Sequence, residues 1–157
     1  MLIKQLSIFI ENKKGHLASI TKVICDAGID IRAISVFDSS EFGILRLVVN
    51  DPYKAAELLK EAGHVAKMTD VLAVEPEDRI GAMYRIFDTL SENDINVEYV
   101  YSFVMRNQSA MPLVIMKTND QEKAIEVLKN SGVIVLPKDT NLDMEPVDVK
   151  DPEDRLL

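Results

Sequence analysis

The sequence predicts an α+β protein made of two ferredoxin-like βαββαβ units in tandem, each an antiparallel sheet with its helices on one face. Two observations carry this. Apolar periodicity switches between the strand period of two and the helix period of about 3.6 in the order strand, helix, strand, strand, helix, strand. That order then occurs twice: a slide of 66 residues brings Gly81 onto Gly15, Met83 onto Leu17, Ile86 onto Ile20, Leu90 onto Ile24, Ile95 onto Ile29 and Val97 onto Ile31. In the second half of the repeat the shift is 69, so that Asp51, Lys54, Ala55, Leu59, Lys60 and Gly63 meet Asp120, Lys123, Ala124, Leu128, Lys129 and Gly132. The added residues fall around Arg106 to Met111, where a hairpin tip tolerates them. The repeat assigns residues 1–70 to a first domain, 71–138 to a second, and 139–157 to an acidic, flexible tail. Val71 to Val74 closes one unit and opens the next almost without pause, so the halves are expected to form one rigid body.

Leu2 to Ile10 alternates, with Leu2, Leu6, Ile8 and Ile10 on one face and Lys4 the exception, as a half-buried strand requires. After the turn Asn12-Lys13-Lys14-Gly15 the period changes to Leu17, Ile20, Ile24, Ala27, one stripe of a helix that Gly28 closes by turning left-handed. Ile31 to Phe37 reads as a strand apolar on both faces, turned back by Asp38 to Gly43 into Ile44 to Val49. Asp51 is placed to cap the second helix and Pro52 to start it, with Ala55, Leu58, Leu59 and Ala62 toward the sheet. Val65 to Val74 returns as the unit's last strand. In the second unit Glu75 to Gly81 forms the turn, and Met83, Ile86, Phe87 and Leu90 point inward from the helix. Val97 to Phe103 follows as a strand with Tyr99, Tyr101 and Phe103 on one face, expected to meet another sheet or subunit. Leu113 to Met116, a helix over Gln121 to Asn130 and a strand over Val133 to Leu136, stopped by Pro137, complete it.

A net charge of −8 argues against nucleic acid and anionic membranes as partners, since both are held by lysine and arginine clusters that this chain lacks. One cysteine allows no internal disulfide, and no apolar run has signal-peptide or membrane-spanning length, so the expected compartment is the cytoplasm. His16 and His64 lie far apart in sequence with no thiol or carboxylate cluster, so no metal is expected, and nothing calls for a cofactor. Cys25 reads as packing rather than a nucleophile. Each strand-to-helix turn leaves the first N–H groups of its helix unpaired at the end of a strand, a place that can receive a carboxylate or phosphate. The bland alternative is that Gly15 and Gly81 only serve backbones with positive φ, and that Asn12 and Asp78 only shape turns.

Asn12-Lys13-Lys14-Gly15-His16-Leu17 with Gly28-Ile29-Asp30-Ile31, and Asp78-Arg79-Ile80-Gly81-Ala82-Met83 with Asp94-Ile95-Asn96-Val97, resemble the ACT-domain pattern N-x-P-G-x-L followed by G-[IV]-[ND]-[IV]. Two copies at matching intervals make the chain resemble a tandem ACT-domain protein over residues 1 to 137. The resemblance implies a non-catalytic regulatory protein that binds a small metabolite, an amino acid first of all, at the turns and across an interface between two such domains. On that reading the ligand's carboxylate lies on a helix N-terminus, where the dipole contributes roughly 0.3–1 kcal/mol. Its ammonium finds the turn carbonyls and Asn12, Asp30, Asp78 or Asn96, with Asp30 and Asn96 each pointing at its own turn. Leu17, Ile31, Met83 and Val97 are expected to line the pocket. The turns depart from the family in having Lys14 and Ile80 where it has proline, and each carries one carboxylate and one amide in swapped places, which suggests unequal sites or a single one in use.

A homodimer is expected, with a regulated enzyme as a further partner. The rival readings are a free regulatory subunit held by a biosynthetic enzyme, like the small subunit of acetolactate synthase, and an enzyme on the same fold, like acylphosphatase. Against the enzyme stands the absence of a nucleophile beside a base and of an arginine in a glycine-rich phosphate loop.

Overall fold

A computed structural model describes residues 2–38, 41–104 and 112–136. The elements are β1 (Ile3–Glu11), α1 (His16–Asp26), β2 (Ile31–Asp38), β3 (Phe42–Val49), α2 (Pro52–Glu61), β4 (Ala66–Glu75), α3 (Ala82–Glu92), β5 (Val97–Val104), β6 (Pro112–Thr118), α4 (Gln121–Asn130) and β7 (Ile134–Val135). The expected hairpin tip around Arg106 to Met111, Pro137 and the tail from 139 lie outside the described residues.

Among the described residues all strand pairs are antiparallel, in the order β2-β3-β1-β4-β6-β5, with β7 on β4. The order contains the βαββαβ pattern twice, β2-β3-β1-β4 and β5-β6-β4-β7, and β4 serves both. Its first half pairs with β1 as far as Ile3 opposite Val71, and its second half pairs with β6 from Leu72 opposite Met116 onward. A strand thus closes one unit and opens the other, as Val71 to Val74 suggests in the sequence, and two four-stranded units share seven strands among the described residues. The last of them is shorter than its apolar run, two residues extended by Leu136 N–H donating to the Ala73 carbonyl at 2.9 Å.

Helices cover the outer face. In the first unit Leu6, Ile8 and Ile10 of β1 pack with Ile20 and Ile24 of α1 and Leu59 of α2; in the second, Leu72 and Val74 pack with Ile86, Leu90 and Leu128. The stripes differ from expectation at their ends: Ala62 is exposed at the close of α2, and Phe87 of α3 and Leu17 of α1 are 36% and 42% exposed, because each sits on the rim of its helix stripe rather than at its centre.

The inner face is where the sequence reading falls short. β1 is buried on both sides, not one, since Ile3 and Gln5 are 7% and 0% exposed. The sheet curls until its end strands β2 and β5 touch, so that Ile3, Ala33, Val48, Val71, Ala73 and Ile115 form a third core between the units. Tyr99 and Tyr101 pack against that core, so the aromatic face of β5 meets the first unit of its own chain. Gln5 is satisfied there: its Nε2 donates to Tyr99 Oη at 2.9 Å and to Ser7 Oγ at 3.0 Å, and Tyr101 Oη donates to its Oε1 at 3.0 Å. The Arg46 guanidinium lies 4.0 Å from the Tyr99 ring centroid, a cation–π contact across the units.

Burial holds the Tyr101 hydroxyl protonated well above the ordinary tyrosine range. In the unfolded chain this tyrosine loses its proton near pH 10. The unfolded state therefore binds fewer protons above that pH, and the contribution is full below about pH 10 and lost as pH rises beyond it. An ultraviolet titration of tyrosinate should show a phenol that resists ionisation until the protein unfolds in alkali, and Tyr101→Phe should remove that step.

Candidate functional site

The two strand-to-helix turns have the same backbone. Gly15 and Gly81 stand as N-caps at φ 87 and φ 86, a left-handed conformation that only glycine adopts without strain. Lys13 and Arg79 N–H donate back to Glu11 and Glu77 at 2.8 and 2.9 Å, and His16 and Ala82 N–H donate to Lys13 and Arg79, both at 3.2 Å. Lys13 pairs with Glu11, and Arg79 with Glu77.

The contrast with the other helices is chemical. Asp51 and Asp120 cap α2 and α4, each side chain accepting from the N–H three residues on at 3.0 Å. No side chain caps α1 or α3. Two of the four described helices thus carry a side-chain cap, while the two that follow the glycine turns have only a main-chain bond from their first N–H and leave their positive dipole ends without a side-chain acceptor.

Beside the second turn lies a cavity of about 410 Å³, a volume within the range of small-molecule sites, and the start of α3 reaches its wall at Ala82. Of the residues singled out in the sequence, Asp78, Arg79 and Ala82 line it. Arg85, Ile86 and Thr89 continue the wall along α3, and Ser131 to Ile134, between α4 and β7, close the far side. Glu75 and Glu77 complete the charged rim. Arg85 makes no ion pair among the described residues, and an acidic rim beside a free guanidinium suits a ligand that carries both charges. Sequence reasoning missed Arg85 and Thr89, although with Ala82 they form an i, i+3, i+7 stripe on a helix already identified. The wall from Ser131 to Ile134 carries no local signal.

The other sequence candidates are placed elsewhere. Gly81 and Ile80 are exposed at the tip of the turn, and Met83 and Val97 pack against the second core. In the first unit Asn12, Lys13, Lys14, Gly15 and Leu17 are exposed, Ile31 packs on the first core, and His16 is half-buried. His16 comes to rest against His64, with ring centroids 5.9 Å apart, and its Nδ1 lies 3.1 Å from the Glu11 N–H. Among the described residues no group of three or more His, Cys, Asp or Glu side chains could hold a metal.

Asp30 and Asn96 require a correction: neither points at its own turn. Each begins the strand after the helix, so the helix, about 16 Å for 11 residues, separates it from the turn at the helix start. The register agrees, since Glu11 at one end of β1 lies opposite Phe42, whereas Ile31 lies opposite Val49 at the other end of β3. Asp30 instead pairs with Arg32 at 2.9 Å. Its N–H donates to Asn50 Oδ1 at 3.0 Å and its carbonyl accepts from the Asn50 N–H at 3.2 Å, and the main chain of Asn96 makes the same two bonds with Asn119, at 2.9 and 3.1 Å. A ligand touching both a turn and one of these residues would have to bridge two domains.

Residues 1–143 match the family model described as an ACT domain pair. A search of curated proteins finds no match. Among solved structures, protein BT0572 from Bacteroides thetaiotaomicron is 36% identical, with 87% of this chain and 92% of that one aligned at a TM-score of 0.79. The ligand-free regulatory subunit of aspartate kinase from Thermus thermophilus shares the fold at 16% identity, over 83% of this chain and 93% of its own, with a TM-score of 0.58. The corresponding subunit from Thermus flavus aligns at 17% identity over 82% and 92%, with a TM-score of 0.57. No helix among the described residues is long and apolar enough to cross a membrane.

Proposed function

The chain belongs to the ACT domain family, and we propose that it is a non-catalytic regulatory protein whose ligand is an amino acid held at a strand-to-helix turn. The observation that carries this is the cavity at the uncapped N-terminus of α3, where Arg85 faces an acidic rim. A carboxylate there gains the helix dipole and the guanidinium together, and an ammonium gains Glu75 or Asp78. Such binding regulates by favouring one arrangement of domains or partners, and does so only through different affinity for the two. The fold shared with the regulatory subunit of aspartate kinase supports output through an associated enzyme, the reading in which this chain is held as a free regulatory subunit. A homodimer fits the exposed apolar side chains Phe9, Phe37 and Phe42 at one end of the first unit's sheet.

The test is a thermal-shift screen of the purified chain against the twenty amino acids, with Gly81→Asp alongside. One amino acid, or a chemically related few, is expected to raise the melting temperature. Gly81 has open space around it, so Asp there costs only the strain of a left-handed backbone, about 1–2 kcal/mol. Its carboxylate, one residue from Ala82 in the cavity wall, repels the ligand's own, and the shift should shrink in a variant that still folds. A shift that survives Gly81→Asp undiminished would put the ligand elsewhere; no shift with any amino acid would remove the amino-acid reading and leave a partner-held subunit, to be sought by pull-down.

A further inference from the structure

We infer that the two pseudo-equivalent turns are not equivalent sites: the second unit's cavity takes the amino acid, one per chain, and the first unit's counterpart is plugged by its own His16 and His64. This deepens the proposed function and rests on it.

The repeat allows a position-by-position comparison. Ala82 and Val133 line the cavity, and the repeat places His16 and His64 at these two positions in the first unit. The backbones agree there: Val133 N–H donates to Leu128 at 2.9 Å and His64 N–H to Leu59 at 2.8 Å, just as Ala82 and His16 make the same bond in their turns. What differs is side-chain volume and charge. Where the second unit has the methyl group of Ala82 and the isopropyl group of Val133 in the wall of the cavity, the first has two imidazoles with ring centroids 5.9 Å apart, tilted by 43°. The His16 ring is held in place at Nδ1 by the main chain of Glu11. Arg85, the free cation of the cavity, is matched by Ser19, whose Oγ donates to the His16 carbonyl at 2.8 Å. The first turn therefore lacks both the room and the guanidinium.

Isothermal titration of the full chain with each of the twenty amino acids tests this. The expected result is one equivalent per chain, weakened at least tenfold by Ala82→His, which rebuilds the plug, and by Arg85→Ala, an exposed position whose loss leaves the core intact. A triple variant, His16→Ala with Ser19→Arg and His64→Val, should gain a second equivalent. Two equivalents in the unmodified chain would overturn the inference, as would one equivalent that ignores Ala82→His or is lost on His16→Ala; each leaves amino-acid binding itself standing. No binding of any amino acid to the unmodified chain would overturn the proposed function and this inference with it.

Discussion

Leu72→Ala should destabilise the protein by about 2–5 kcal/mol, the cost of a large cavity in a well-packed core, and should do so in a single transition. Leu72 is fully buried, as are Val71, Ala73 and Val74, and these side chains alternate between the second unit's core and the core between the units. Because β4 supplies the last strand of one unit and the first of the other, neither unit keeps its sheet if this strand leaves. A domain of this size is stable by about 5–15 kcal/mol, so the loss is a large fraction of the whole. Heat unfolding followed by circular dichroism should show a midpoint lowered by about 2–4 °C for each kcal/mol and no intermediate plateau. A variant that loses half of its signal at low temperature and keeps the rest would show that the units fold independently.

The helices and most strands were legible because their information is local. Ile20, Ile24 and Gly28 fix a helix and its end wherever they occur, and the recurrence at Ile86 and Leu90 doubles the evidence. The family pattern was legible for the same reason, lying in two short runs. Gln5 shows where local reading stops. As a polar residue on an alternating strand it reads as solvent-facing, and only the curl of the sheet, closed by β2 against β5, makes it fully buried. The site divides likewise. Asp78, Arg79 and Ala82 were found because they sit in the turn itself, whereas the opposite wall from Ser131 lies some fifty residues on and is brought there by α4 and β7. Asp30 and Asn96 occupy corresponding positions at the start of the second strand, which suggests a place at their own turns, but an 11-residue helix carries the chain to the far end of the sheet first.

The buried amide of Gln5 also gives the second large effect. Gln5→Leu keeps the volume roughly constant and adds apolar surface to a buried position, yet it should destabilise the protein, because Tyr99 and Tyr101 both hydrogen-bond to the amide it removes. Each hydroxyl left unpaired costs about 1–3 kcal/mol, less where water can reach it, and both tyrosines are only half-buried. The asymmetry of that cost supplies the control. Adding Tyr99→Phe and Tyr101→Phe removes both stranded hydroxyls, and the triple variant should recover most of the loss measured by urea denaturation. If Gln5→Leu alone is neutral, the amide is not what ties the sheets together there; if the triple variant stays as unstable as the single one, the loss comes from shape rather than from unpaired hydroxyls. Recovery would assign the amide a role in specificity: three polar groups, from β1 of one unit and β5 of the other, meet in only one register. That register sets how the two units sit against each other across the curled sheet, which is the arrangement a ligand at one turn would have to favour or disfavour to be felt at a distance.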